Sequence, residues 1–250
     1  MAEVTIDLSK LRQAVISENR PLAGAILGLI DTSSIKTDLC LADDQVRTLM
    51  LGLDEALSAE AGSPAQSCAM ALLASAINLY ARAMKTTSSH RKTFDRTSKL
   101  SGDEKLDHDF ICKLRDDAIA HFGPGPHSKG YPWHQDGAFA FWDSNAGSLQ
   151  VFTTSKRKVA ERDVVSRIQR QIHRALMLVE RDIQERNKDV TERISNAIID
   201  GRLSRETLEA CECDMKQFFG DDEAARHVWE SDRLGHAKGT AHHSVNGAAP

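Results

Sequence analysis

The stretch from Pro64 to about Lys85 is apolar nearly all round a helical circumference, so it must be covered on every side. Gly62-Ser63-Pro64 precedes it, offering Ser63 as an N-cap and Pro64 at the first helical position. Before the break, Leu39, Val46, Leu49, Leu53 and Leu57 recur at helical spacing, which predicts an amphipathic helix from about Asp38 to Glu60. The apolar run from Ala69 to Ala83 is interrupted by Ser75 and Asn78. It reads as too short for a bilayer and is expected to be a central core helix with no membrane role.

Downstream, a polar connection from Thr86 to Ser101 carries His90, Arg91, Lys92, Arg96 and Lys99. A helix is expected from about Gly102 to Ala120, stopped by Gly123-Pro124-Gly125-Pro126. Then the pattern changes. Ala138–Trp142 and Leu149–Thr154 are strand-forming runs around a turn of Asp143 to Gly147, which is a β-hairpin signal. A lone hairpin is marginal in water, so it is expected to lean on the helices. A long helix from about Ala160 to Lys188 places Val165, Ile168, Ile172, Ala175, Val179 and Ile183 on one stripe. Shorter helices are expected near Val190–Asp200, Ser204–Phe219 and Asp221–Ser231, followed by a disordered Gly, Ala, His and Ser tail.

The expected fold is therefore mainly α: an antiparallel helical bundle over 1–128, a β-hairpin insert over 129–159, and a C-terminal helical arm over 160–232 packing on the bundle. The tail covers 233–250. A length of 250 residues suits one or two domains, and a net charge of -4 gives no global field for nucleic acid. Cys40, Cys68, Cys112, Cys211 and Cys213 read as free thiols, with only a lone C-x-C at the end. The N-terminus shows no basic region followed by an apolar core, so a cytoplasmic location is expected.

Leu114 to Phe122 is where chemistry concentrates, with Arg115 and His121 six positions apart at a helix end. Spacing alone decides nothing, because roughly two such pairs arise by chance at this composition. The second pair, Arg167 and His173, lies inside the long helix, whereas His121 sits where a helix end presents it. Leu114-Arg115-Asp116, then small and apolar residues, then Ala120-His121-Phe122 resembles the signature of the HEPN superfamily. The helices from about Asp38 to residue 125 fit that resemblance, with Asp116 in the polar slot.

The resemblance implies a HEPN-like bundle and a metal-independent endoribonuclease of toxin or defence type, working as a homodimer without a cofactor. An antitoxin or other protein partner is the natural counterpart. The residue geometry agrees with a dimer. Six α-helical steps leave Arg115 and His121 about 120° apart around the axis and about 9 Å along it, off any common face. Two copies across a two-fold axis bring both His121 side chains to one phosphate. One imidazole then takes the proton of the RNA 2'-hydroxyl and the other protonates the leaving 5'-oxygen. Arg115 stabilises the phosphoryl oxygens and Asp116 orients the Arg or the His.

The alternative is a non-catalytic helical module that binds protein, nucleotide or RNA. In that case Asp117 pairs with His121, and Asp116 holds Arg115 as a structural ion pair. Candidate RNA contacts are Arg91 and Lys92 in the connection, and Arg167, Arg170 and Arg174 on the long helix. With Arg181, the last three form a basic stripe that Asp163, Glu180, Asp182 and Glu185 can instead balance as a solvated face. His134-Gln135-Asp136 has the His-x-Asp form of an iron facial triad, but the jelly roll that such oxygenases need is missing. His121, His127, His134 and Asp136 match no compact zinc pattern, so no metal is expected.

Overall fold

In a computed structural model, the structure describes residues 5–85, 88, 91–92, 94–120, 125–126, 133–145, 147–157, 161–214, 220, 223 and 226. Among these residues the chain is mainly helical with one small two-stranded antiparallel sheet. The elements are α1 (Leu8–Val15), α2 (Arg20–Ser58), α3 (Pro64–Met84), α4 (Gly102–Lys113), a π-helical turn (Leu114–Ala120), β1 (His134–Asp143), β2 (Ser148–Arg157), α5 (Arg162–Ile199) and α6 (Arg205–Ala210). A 3-10 turn (Asp95–Lys99) lies in the connection before α4. Two compact units result, one of residues 1–33 with 181–250 and the other of residues 34–180. They follow neither of the expected divisions at 128 and 159, because α2 and α5 each run from one unit into the other.

The first unit has a core of Leu11, Val15, Leu22, Ala23, Ile26, Val190, Ala197, Leu203 and Cys211. Asp7 caps α1 by accepting from the Ser9 N–H at 2.7 Å, and Asn19 caps α2 by accepting from the Leu22 N–H at 3.2 Å. α2 thus starts about a turn and a half past α1, well before the expected Asp38. Gly28 leaves room on α2 for the Arg186 guanidinium, which pairs with the buried Asp182 at 2.7 Å. Ile6 bridges to Glu212, and the Asp7 N–H bonds to the Cys211 carbonyl at 2.9 Å. That pairing draws the chain out of helix after Ala210, so the helix expected to reach Phe219 is six residues long. Residues 215–219, most of the helix expected over Asp221–Ser231 and the tail over 233–250 lie outside the described residues.

The second unit buries Leu39, Val46, Leu49 and Leu53 from α2, Leu73, Ile77 and Tyr80 from α3, Ile111 and Leu114 from the α4 region, and Val165, Ile168, Ile172, Ala175 and Val179 from α5. Leu57, expected on the buried stripe, is 43% exposed in the last turn of α2. Ser63 caps α3 with Pro64 in its first turn, as the sequence predicts. α3 is 21 residues long and passes by length and composition as a possible membrane span, which corrects the reading of this run as too short. Its apolar side is used by the core, while Ser67, Cys68, Ala71, Asn78 and Arg82 stay exposed.

α5 is one unbroken helix of 38 residues, not two. No Gly or Pro interrupts it, and Arg193 pairs with Asp189 one turn back at 2.8 Å, across the expected break. Within the second unit α5 runs antiparallel to α2: Lys36 meets Glu180 at 3.6 Å, Asp43 meets His173 at 2.9 Å, and Asp54 meets Arg162. Asp38 and Asp43 are buried carboxylates with cationic partners: Asp38 meets Arg82 and Arg91, and Asp43 meets Arg47, with His173 Nε2 also 2.9 Å from Asp43 Oδ1.

The hairpin forms as expected but is longer, with Phe139 opposite Phe152 and Trp142 opposite Leu149. Asp143 accepts from the Asn145 N–H at 2.9 Å, and Gly147 takes φ +60 in the turn. It does not lean on the helices beyond its base. Trp133 and His134 are buried, but the strand bodies from Ala138 to Trp142 and from Leu149 to Thr154 are exposed.

Candidate functional site

α4 begins with a complete capping box, in which Ser101 and Glu104 satisfy each other's backbone N–H groups. Ile111, Cys112 and Leu114 anchor its inner side. From Leu114 to Ala120 the helix widens into a π-turn, a feature often found at functional sites. The α-helical rotation expected between Arg115 and His121 therefore does not apply. His121 itself, with Gly123 and Pro124, lies outside the described residues.

On the π-turn, Arg115 Nη1 donates to Asp116 Oδ1 at 3.0 Å, and Asp116 also accepts from Lys85 Nζ at the end of α3. The Lys85 hydrogen bond, followed by the Arg115 one, holds the Asp116 carboxyl below its ordinary range. Asp116 in turn raises the Lys85 ammonium. Two cations thus share one carboxylate. The Arg115 side chain remains 39% exposed and that of Lys85 50%.

Behind this group runs a line of polar side chains. Gln171 Nε2 on α5 donates to Tyr80 Oη at 3.0 Å, and Tyr80 Oη lies 3.0 Å from His108 Nδ1. A hydroxyl that already accepts from Gln171 has its proton to give, so Nδ1 of neutral His108 is the acceptor and Nε2 carries the hydrogen. Burial keeps His108 below its usual pKa, with Lys85 and Lys105 pushing the same way and Asp109 opposing. Cys112 Sγ lies 3.7 Å from His108 Nε2. Burial pushes its thiol up to about 11, so it is not a ready thiolate nucleophile at neutral pH.

The π-turn also connects to the hairpin. Gly125 has φ +65, and a Cβ there would meet Ala118 Cβ at 2.8 Å and Trp133 Cβ at 3.0 Å. The chain therefore passes between the π-turn and the root of β1 at a point where only glycine fits.

The other sequence candidates are spread over the same unit. Arg91 is only 13% exposed and is bound by Asp38 at 2.8 Å, Ser34 at 3.0 Å and the Arg82 carbonyl at 2.8 Å. Its guanidinium serves the fold, leaving little for RNA. Lys92 is exposed beside it. Arg167 binds Asp107 and lies 4.1 Å from the centre of the Phe110 ring, and Arg174 meets Glu104 at 3.3 Å. Two cations of the stripe are thus met from α4, by Asp107 and Glu104. Arg170 is exposed. His134 Nε2 meets Asp136 at 3.1 Å, while His173 is taken by Asp43. Among the described residues no three His, Cys, Asp or Glu side chains are grouped to hold a metal ion. His127 lies outside them.

Of the predicted site, Arg115 and Asp116 are together, and Arg91, Arg167 and Arg174 point their charge into internal pairs. Sequence reasoning missed Lys85, Tyr80, His108, Cys112 and Gln171. Part of the signal was present: His108, Cys112 and Asp116 follow at intervals of four on one helix. Lys85 and Gln171 join only through tertiary packing. Comparison with protein-family models, with curated proteins and with solved structures returned no match to this chain.

Proposed function

We propose that this protein is a metal-independent endoribonuclease with a HEPN-like bundle, and that Arg115 is its phosphate-binding cation. One observation carries the reading: the Arg115 guanidinium is held by the neighbouring Asp116 on a π-turn and keeps 39% of its side chain open. An arginine held through one fork nitrogen, with part of its side chain open, still has donors to offer a phosphodiester. Asp116 is the positioning residue, and Lys85 holds its carboxylate from α3. His121 takes the proton from the 2'-hydroxyl, the 2'-oxygen attacks phosphorus, and the 5'-oxygen leaves with a proton from the partner's His121. The product ends are a 2',3'-cyclic phosphate and a 5'-hydroxyl. On this reading the enzyme is a cytoplasmic homodimer of toxin or defence type, restrained by an antitoxin or another protein.

The test is cleavage of mixed RNA in the presence of a chelator, beside Arg115→Ala and His121→Ala. Cleavage by the parent alone supports the reading. No cleavage, or cleavage that survives both substitutions, overturns it.

A second reading, a non-catalytic binding module on the same helices, is favoured by the internal pairing of Arg91, Arg167 and Arg174. Binding of RNA without turnover, or of a protein partner alone, is the result that selects it.

A further inference from the structure

Each face of the hairpin would suit a core, and neither has one. On one face Phe139, Phe141 and Phe152 cluster, with Phe139 and Phe152 stacked at 5.4 Å and Phe141 meeting Phe152 edge-on at 6.1 Å. The opposite face carries Trp142 against Leu149 and Ala140 against Val151. These large side chains are exposed: Phe139 53%, Phe141 51%, Trp142 63%, Leu149 61%, Val151 70% and Phe152 47%. Strands apolar on both faces belong inside a layered structure, and a bare hairpin is marginal in water.

The edges are equally unprotected. The sheet has two strands only, so among the described residues the outer side of each strand pairs with nothing. From Gly137 to Trp142 and from Leu149 to Thr154 there is no charged residue and no proline. Folded proteins ordinarily blunt such edges with charge, proline or cover.

We propose that this hairpin is the interface between two copies of the chain, pairing with the same hairpin of a second copy. Three observations select that occupant. First, the surface is uncharged and offers a charged partner no complement, whereas an antiparallel strand edge is complementary to itself across a two-fold axis. Second, the area fits a small, reversible self-contact. If each side chain exposes roughly 100 Å², about half of what an aromatic can bury, the face laid against the partner offers on the order of 300 Å². With the backbone edge added this stays below the roughly 800 Å² per partner of a standard interface, which is the size of a weak homodimer contact. Third, the tip argues against a lipid surface. Asp143, Ser144 and Asn145 lead the hairpin, so insertion would carry a carboxylate into hydrocarbon first.

Dimerisation does not depend on the nuclease reading, although that reading needs a dimer. The test is sedimentation of the full-length protein, parent beside Val151→Lys and Trp142→Glu, with circular dichroism to confirm folding. Val151 and Trp142 lie outside the Phe cluster, so the hairpin's own aromatic contacts are kept. The parent is expected as a dimer at micromolar concentration, with each variant weakening association about thirty-fold or more. A parent that stays monomeric, or a folded variant that dimerises as the parent does, overturns the proposal. So does flotation of a monomeric parent with anionic vesicles of phosphatidylserine and phosphatidylcholine. A dimer without ribonuclease activity leaves the interface standing and removes only the nuclease.

Discussion

Asp116 Oδ1 accepts a hydrogen bond at 3.0 Å from Nη1 of Arg115, the residue immediately before it in the chain. Adjacent residues on an α-helix point about 100° apart, so such a pair is unusual on regular helix. On the π-turn it forms, and Lys85 closes it from α3. The pair is therefore a joint product of local helix widening and tertiary packing.

Asp116→Asn should change stability by less than about 1 kcal/mol, because its cationic partners are largely exposed and screened. The sign with pH follows from the lowered carboxyl pKa. The contribution is present above the unfolded value of about 3.9 and is lost as pH falls through the folded one. Urea unfolding at pH 7 and pH 3 should show the parent and variant converging at the lower pH. If the nuclease reading holds, cleavage falls in this variant while stability barely moves.

Tyr80→Phe should cost about 1–3 kcal/mol, because it leaves the fully buried Gln171 amide without its acceptor. The double variant with Gln171→Leu removes both polar groups and should recover part of the loss. Denaturant midpoints of the single and double variants decide it. Equal destabilisation by the two would show that the Tyr80–Gln171 bond carries no weight.

His108 gives a second pH effect of known sign. Burial lowers its pKa below the ordinary imidazole value of about 6.5, so the unfolded chain takes up a proton more readily than the folded one. Stability from this group is complete above about 6.5 and declines as pH falls toward the lower folded value. His108→Gln should flatten thermal stability between pH 7 and pH 5.5. An unchanged slope would mean that other groups govern that window.

Gly125→Ala should destabilise by about 1–3 kcal/mol through positive φ and overpacking. Its Cβ would lie within 2.8 Å of Ala118 Cβ and 3.0 Å of Trp133 Cβ. The relief required moves either the π-turn or the hairpin root. Tryptophan fluorescence should change with the unfolding midpoint, since Trp133 is buried at that contact.

Leu73→Ala should cost about 2–5 kcal/mol and Leu57→Ala well under about 1 kcal/mol. Both were apolar positions of predicted helices, but Leu73 is 1% exposed and Leu57 43%. Comparable losses at the two sites would contradict the packing described for α2 and α3.

Legibility varied along the chain for physical reasons. Ser63-Pro64 announced its helix start because a cap is a local hydrogen bond between residues three apart, and the Ser101-x-x-Glu104 box, which the structure revealed, is a signal of the same local kind. The hairpin was readable from alternation and a turn. The extents of α2 and α5 were not: nothing local distinguishes a helix that continues from one that restarts, and the Arg186 guanidinium that lies over Gly28 comes from far along the chain. Arg91 and Arg167 read as free cations because their partners, Asp38 and Asp107, are distant in sequence.

The sequence by itself determined the helical class, the caps, the apolar stripes and the hairpin turn, since each depends on residues within a few positions of one another. Tertiary structure alone decided which charges are consumed internally. It also joined Lys85 to Asp116 and Gln171 to Tyr80 and His108, and left the hairpin's two apolar faces open. Those outcomes depend on which distant surfaces meet, and residue spacing carries no information about a partner that the chain has yet to fold against.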